Sequence, residues 1–379
     1  MLDQDTPVLT MVLINGGMLF FDPTKDVELK ARYIIIINNG TLQIGTEAEP
    51  HPSRATITLY GHVREKELPL FGAKVLALRN GTLELHGLPR AVTWTRLAQP
   101  ADVGSRTLVL KQPVDWQPGE EIVITSTGGP TAHNENEVHR IQSISNNRKT
   151  LTLIDSIQYP KISTTIQYSN GVSGFFAAEV GLLTRNVLIH GDPDSTVPSS
   201  VPQCSTDFST GQFATQTCYQ GNPTDQMGED QFGGHVHIGG PVINSNSVRA
   251  HISYVEFHYM GQAYRLGRYP IHFHLNGIMR GTYVKGCAIH NTFNRAVNIH
   301  NTHEVLIENN VVHDVMGGAL FLEDGLEQYN IIQYNLFVHV KKTNSLLNDD
   351  VVPAAYWITH PNNIVRHNVA AGGTNFGFW

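Results

Sequence analysis

Cysteine is scarce, with three in 379 residues, which excludes a fold held together by a dense disulfide framework. No apolar run approaches the length of a membrane span; the longest, Tyr33 to Ile37, is far too short. The 3.6-residue period of a long amphipathic helix is missing throughout. Net charge is −7, which argues against nucleic-acid binding as a property of the whole molecule. The first residues, Met1-Leu-Asp-Gln-Asp, lack the basic and apolar regions of a signal peptide. The last, Phe376-Gly-Phe-Trp379, stop inside an apolar strand pattern. The sequence therefore reads as a piece of a larger protein.

What is plentiful is glycine, 34 residues, often in Asn-Gly or Gly-Gly pairs between short alternating apolar stretches. Hydrophobic content of 41% with 16% charged residues is that of a folded chain. The texture is one of many short strands joined by tight turns. Gly17-Met-Leu-Phe-Phe, Gly40-Thr-Leu-Gln-Ile-Gly and Gly81-Thr-Leu-Glu-Leu-His-Gly repeat one phrase. From Val248 onward, ISYVEFHY, GTYVKGCAIHN, VLIENNVVHD, NIIQYNLFVHV and NIVRHNVAAGG recur as further turns of a coil. Each turn alone would expose its inward apolar residues, so neighbours must stack to hide them. The expected fold is all-β, a right-handed parallel β-helix with a small β-rich insert. Its expected parts are an N-terminal β-helical region (1–100), an insert or cap (101–178) and β-helix repeats (179–379) with a polar loop at 191–234. Asn310, Asn335 and Asn368 occupy matching places and predict an amide ladder at one corner.

The chemistry concentrates in RYPIHFHLNG, Arg268 to Gly277. On a strand, His272 and His274 share one face while Ile271 and Phe273 take the other. RAVNIHNTHE places Asn298 and His300 at the equivalent positions, and GALFLEDG places Phe321 and Glu323 there. Stacked as successive rungs about 4.8 Å apart, His274, His300 and Glu323 form one column. Asp324 should face away. A second His-x-His strand supplies His235 and His237. Between Arg249 and Arg295 there are six basic residues and one acid, Glu256. Such a patch suits an anionic ligand, with Arg265, Arg268, Tyr269 and Arg295 as candidate binding residues.

Three readings of the column stand side by side. In the first, His235, His237, His272, His274 and His300 supply imidazoles to a divalent ion, zinc or a similar metal, with calcium also allowed. In the second, Glu323 acts in metal-free glycoside cleavage, with Asp349 or Asp350 as the second acid. In the third, the stacked side chains only hydrogen-bond to one another. Cys204 and Cys218 are paired most simply as a disulfide, leaving Cys287 buried and free, which would place the chain outside the cytosol. The sequons at Asn39 and Asn80 are compatible with secretion and also read as Asn-Gly turns opening a strand.

RYPIHFHLNG, HNTFNRAVNIH, FLEDG, HPNN and TNFGFW, with GGMLFFD, LPLFGAKVLALRNGTLELHG and DWQPGEEIVI upstream, resemble one family of ectodomains. It comprises the fibrocystins, the cell-migration-inducing hyaluronan-binding protein and the related cell-surface hyaluronidase. The phrases EDGLEQYNIIQYN and RHNVAAGG are most similar to the fibrocystin-L branch, and His360 departs from the hyaluronidase branch. The resemblance implies an eight-glycine domain followed by a parallel β-helix, in an extracellular or cell-surface setting. It also implies a larger membrane-anchored or secreted parent, with this part not itself inserted in a membrane. Hyaluronan or another acidic glycan is the implied partner. Two functions follow: a polysaccharide hydrolase or lyase, or a non-catalytic adhesion or receptor segment.

Overall fold

A computed structural model describes residues 1–62, 65–129, 131–196, 231–240, 248–263, 265–343 and 348–379. The chain is a parallel β-helix with three faces, coiled in the right-handed sense that parallel crossovers take. Face one is an eight-stranded sheet that includes Gly81–His86, Val248–Ser253, Tyr283–Lys285, Leu306–Glu308 and Ile331–Gln333. Faces two and three are joined through one long strand, Val27–Ile37. Its first half pairs with Ala55–Leu59 and its second half with Val75–Leu78. Face two continues through Val187–Gly191, Val255–His258, Ala288–Thr292, Val311–Met316 and Leu336–Lys341. Face three continues through His235–Gly239, Ile271–Ile278, Val297–His303, Leu320–Leu322 and Ala354–Trp357.

Alternation sets the packing. Ile252, Phe257 and Phe273 from the three strands of one turn are fully buried in a common core with Val284, Ile289 and Ile299 of the next. Burying each such side chain contributes about 1.5–3 kcal/mol, and only the stacked neighbour makes that burial complete. The corner between faces one and two is built from a repeated device. Asn309, Tyr334 and His367 take left-handed φ angles of 56°, 56° and 55°. Each precedes an asparagine of the expected ladder, in which Asn310 Nδ2 donates to Asn335 Oδ1 and Asn335 Nδ2 to Asn368 Oδ1, both at 2.9 Å. Gly286 holds the equivalent corner one turn earlier, where a Cβ would fall 2.4 Å from the Tyr254 ring.

The insert leaves the coil after Gly81–His86 and returns at Val187–Gly191. It is wider than the 101–178 expected, because its antiparallel six-stranded sheet runs from Trp94–Arg96 to Glu179–Leu182. It encloses its own core around Trp116, Ile122, Leu151 and Val180. The phrase EVGLLTRNVLIH, read as one rung, is thus split: Glu179–Leu182 belongs to the insert and Val187–Gly191 to the coil. Arg185 fixes the break. Its buried guanidinium donates to Gly286 O at 2.9 Å and Leu182 O at 3.0 Å. The insert docks on face two through Val123 and Leu183 against Val311, Leu336 and Val338. Among the described residues, no helix is long and apolar enough to cross a membrane. Cys287 is buried and free; Cys204 and Cys218 lie outside the described residues.

Candidate metal and glycan site

Face three carries the site. The parallel register sets His237 beside His272 and His272 beside Asn298, with Gly239, His274 and His300 in the adjacent outward column. Gly239 is required there. With φ at +105°, a Cβ would meet Asn276 Oδ1 at 2.0 Å and His274 O at 2.5 Å. The neighbouring strand slips register between His274 and Gly277, with Leu275 at φ 55°. Asn276 pins that bulge by donating to Ile238 O at 3.0 Å.

The rings pack closely. Centroids lie 5.2 Å apart for His237 and His272, 4.8 Å for His272 and His274, and 4.9 Å for His274 and His300. One ligand atom from each of His272, His274 and His300 falls within 4.8 Å of the others. Their hydrogen bonds assign the tautomers. A carbonyl can only accept, so the 3.1 Å contact of His272 Nδ1 with Gly267 O makes Nδ1 the N–H. His272 Nε2 is then a bare lone pair, and it is buried without a partner. His300 Nε2 lies 2.9 Å from Asp324 Oδ2, so Nε2 carries the proton there and Nδ1 is the lone pair. That atom lies 3.1 Å from His274 Nδ1. Two nitrogens bound tetrahedrally to one zinc at 2.0–2.1 Å are about 3.3 Å apart. Both ring nitrogens of His237 are also buried without a partner.

Electrostatics keep His237, His272 and His274 neutral. Burial first, then His274 and Arg268, hold His237 down to about 3. Burial, followed by His300 and Arg268, lowers His274 to about 4. Burial and the three neighbouring histidines keep His272 well below the usual imidazole range. Neutral imidazole is the form that binds metal. The residues present therefore fit a divalent ion. His272, His274 and His300 would hold it, and Asp324 would orient His300 as a carboxylate–histidine–metal array does.

Glu323 joins the site as expected. Its Oε2 lies 3.8 Å from His300 Nδ1 and accepts a 2.6 Å hydrogen bond from Asn298 Nδ2. Glu323 and His300 are 20% and 21% exposed, so the cluster opens toward solvent on this side. Asp324 corrects the expectation that it faces away. The strand ends at Leu322, alternation stops with it, and the turn carries both acids to His300. His235 is fully buried on the same strand as His237 and stands outside the group of three.

The candidate anion-binding residues and second acids are corrected more sharply. Arg265 and Arg268 are buried and paired with Glu67. Arg295 is buried with its Nε 2.9 Å from Asp350 Oδ1, and its guanidinium lies 3.6 Å over the Phe321 ring. Burial opposes the charge on Arg295, but Asp350 overrides it and raises the group further. Tyr269 is fully buried edge-on to His272, and burial pushes its hydroxyl up. These four groups brace the floor of the site and do not offer forks to a sugar. Asp350 is consumed by its ion pair, and Asp349 is exposed in the short helix Asn348–Val351. The ion pair withdraws Asp350 as the second acid of a metal-free glycosidase.

Comparison with known proteins follows the same division. Residues 1–98 match the G8 domain model and residues 231–379 the CEMIP beta-helix model. The chain is 52% identical to human fibrocystin-L over 380 aligned residues, covering all of this chain and 9% of that protein. It is 31% identical to human cell surface hyaluronidase CEMIP2 over 307 aligned residues, covering 73% of this chain and 20% of that one. It thus spans about a tenth of the fibrocystin-L length. Among solved structures, the Pseudomonas phage phi297 tailspike gp61 aligns with a TM-score of 0.25 at 11% identity, covering 91% of this chain and 66% of the tailspike.

Proposed function

Because the chain is a fibrocystin-L-like segment, a G8 domain followed by a CEMIP β-helix and related to the cell surface hyaluronidases, we propose that it acts at or outside the cell surface on an acidic polysaccharide of the hyaluronan type, with a divalent ion at His272, His274 and His300. The observation that carries this reading is the convergence of three imidazoles, one nitrogen of each lying within 4.8 Å of the others. His272 Nε2 is buried with no partner, and the Nδ1 atoms of His274 and His300 share a hydrogen bond at 3.1 Å. An unsatisfied buried polar atom costs about 1–3 kcal/mol, and one cation would satisfy His272 Nε2 and take the place of the proton between the other two rings. When bound, such an ion neutralises a uronate carboxylate or lowers the pKa of a water.

Around it the chain's own residues have distinct tasks. Asp324 keeps the Nε2 proton of His300 and so aims Nδ1 inward. Asn298 holds Glu323 beside His300, where its free oxygen can take a proton from water or a sugar hydroxyl. Arg295 clamps Asp350 and so anchors the Asn348–Val351 helix beneath the site. The second reading, a non-catalytic adhesion or receptor segment, is favoured by the 52% identity to fibrocystin-L. Size analysis of hyaluronan incubated with the protein separates the two. The first reading expects chain shortening that chelator abolishes and that His274→Ala loses while retaining its fold. Full-length hyaluronan under every metal condition leaves the adhesion reading.

A further inference from the structure

Face one, a different side of the coil from the histidine site, carries an elongated groove that neither the metal centre nor its acids explain. Its outward column reads Glu84, His251, Tyr283, Leu306 and Ile331 in strict parallel register. Two depressions of ≈ 730 and ≈ 420 Å³ lie along it and share Arg280 and Thr282 in their walls, so they form one trough. The larger is amphipathic, with Leu306 and Ile331 as its floor and Tyr329, 58% exposed, at its rim. The smaller is basic: Arg249 and Arg280 line it beside His251, and no carboxylate does.

The nearby acids are already engaged. Glu84 accepts from His251 Nδ1 at 2.8 Å and from His86 Nε2 at 2.7 Å. Glu304 is held by the Arg280 fork at 2.7 and 3.2 Å, which leaves Arg280 Nη1 directed elsewhere on a side chain 82% exposed. Glu47 lies outside the lining, at the Tyr283 hydroxyl. Arg249 is exposed and makes no ion pair among the described residues. The His251 and Tyr283 rings stack at 5.1 Å and 20°, giving the trough a flat wall.

We propose that this trough binds an acidic oligosaccharide laid along the coil axis, its carboxylate at Arg249 and Arg280 and its following sugar rings over Tyr283, Leu306 and Tyr329. Three features select a glycan. The larger depression is mostly apolar, with Val305, Leu306 and Ile331 in its lining, as the C–H face of a pyranose requires. Arg280, Thr282 and Glu304 stand in the same walls, where sugar hydroxyls can reach them. The rungs repeat at about 4.8 Å, close to the length of one sugar, so successive residues of a polymer meet successive rungs in similar surroundings. Free guanidinium at one end then selects acidic over neutral chains.

The test is titration calorimetry of the intact protein with a hyaluronan decasaccharide, on wild type, the Arg249→Ala/Arg280→Ala double variant, Tyr329→Ala and His274→Ala. All four are first matched for circular dichroism and thermal midpoint. The proposal expects affinity to fall at least tenfold in the double variant and severalfold in Tyr329→Ala. It also expects the wild-type affinity to weaken as salt rises. Unchanged affinity in the double variant overturns it, as does the absence of any binding to wild type. Loss in His274→Ala alone overturns it while upholding a glycan at the metal site. Competition by an acidic decapeptide at equal affinity overturns the assignment of a sugar.

Discussion

The coil carries two columns of histidine, one on face three and one on face two, and they behave differently. On face two, His190, His258, His290 and His313 stand in register, and the His258 and His290 rings stack at 4.6 Å. Here most of the imidazoles meet oxygen, His313 Nδ1 being buried without a partner. His190 Nε2 lies 2.9 Å from Thr58 Oγ1, His290 Nε2 lies 3.2 Å from Glu256 Oε1, and His339 joins the end of the column 3.1 Å from Asp314. Although burial works against it, Glu256 raises His290 above the usual imidazole range. The insert docks on this same face. On face three His237, His272 and His274 pack against one another, burial lowers all three, and His272 Nε2 and both nitrogens of His237 have no partner. Identical spacing thus gives a seam of ring–oxygen contacts in one place and a cluster of facing rings in the other. What separates them is the partner on the next rung.

The largest expected effect breaks the symmetry between the columns. His290→Leu leaves the mostly buried Glu256 with the Arg185 N–H but no charged partner and should cost about 3–5 kcal/mol. His237→Leu removes two unsatisfied nitrogens and, in chelator, should stabilise the protein by about 1 kcal/mol. Urea unfolding of both variants reads the difference, and two shifts of the same sign would erase the distinction. A smaller effect concerns the carboxylates. Asp324→Asn should weaken ion affinity about 10–100-fold, whereas Asp314→Asn on the other column should leave it unchanged in competition titrations.

A third effect is in acid. Burial lowers His313 to about 3. The unfolded chain therefore takes up a proton below about 6.5 while the folded chain does not until about 3. Stability contributed by a neutral His313 is present above 6.5 and lost as pH falls toward 3. His313→Gln should reduce proton uptake on unfolding by about one in that window, measured as a shallower dependence of unfolding free energy on pH.

Much of this was legible in the sequence, and the failures have physical causes. Alternation and rung spacing place His272, His274, His300 and Glu323 together, because strand periodicity and parallel register are local rules. Asp324 escapes those rules because the strand stops one residue before Glu323. Arg265 and Arg295 read as surface cations, since their acids, Glu67 and Asp350, lie 198 and 55 residues away in sequence and only the coil brings them near. The face-two column had a signal that went unused. The phrases VEFHY, CAIHN and VVHD each place a histidine directly after a core apolar residue, and the recurrence marks a column as surely as the asparagines mark a ladder.

The central claim is that three imidazoles on face three share one cation. Elemental analysis of the purified protein, dialysed against micromolar zinc, tests it directly beside His272→Ala and His290→Ala. The account predicts one bound ion per chain in the wild type and in His290→Ala, and none in His272→Ala. A wild-type protein that takes up no ion, or a His272→Ala variant that retains it, would contradict the claim.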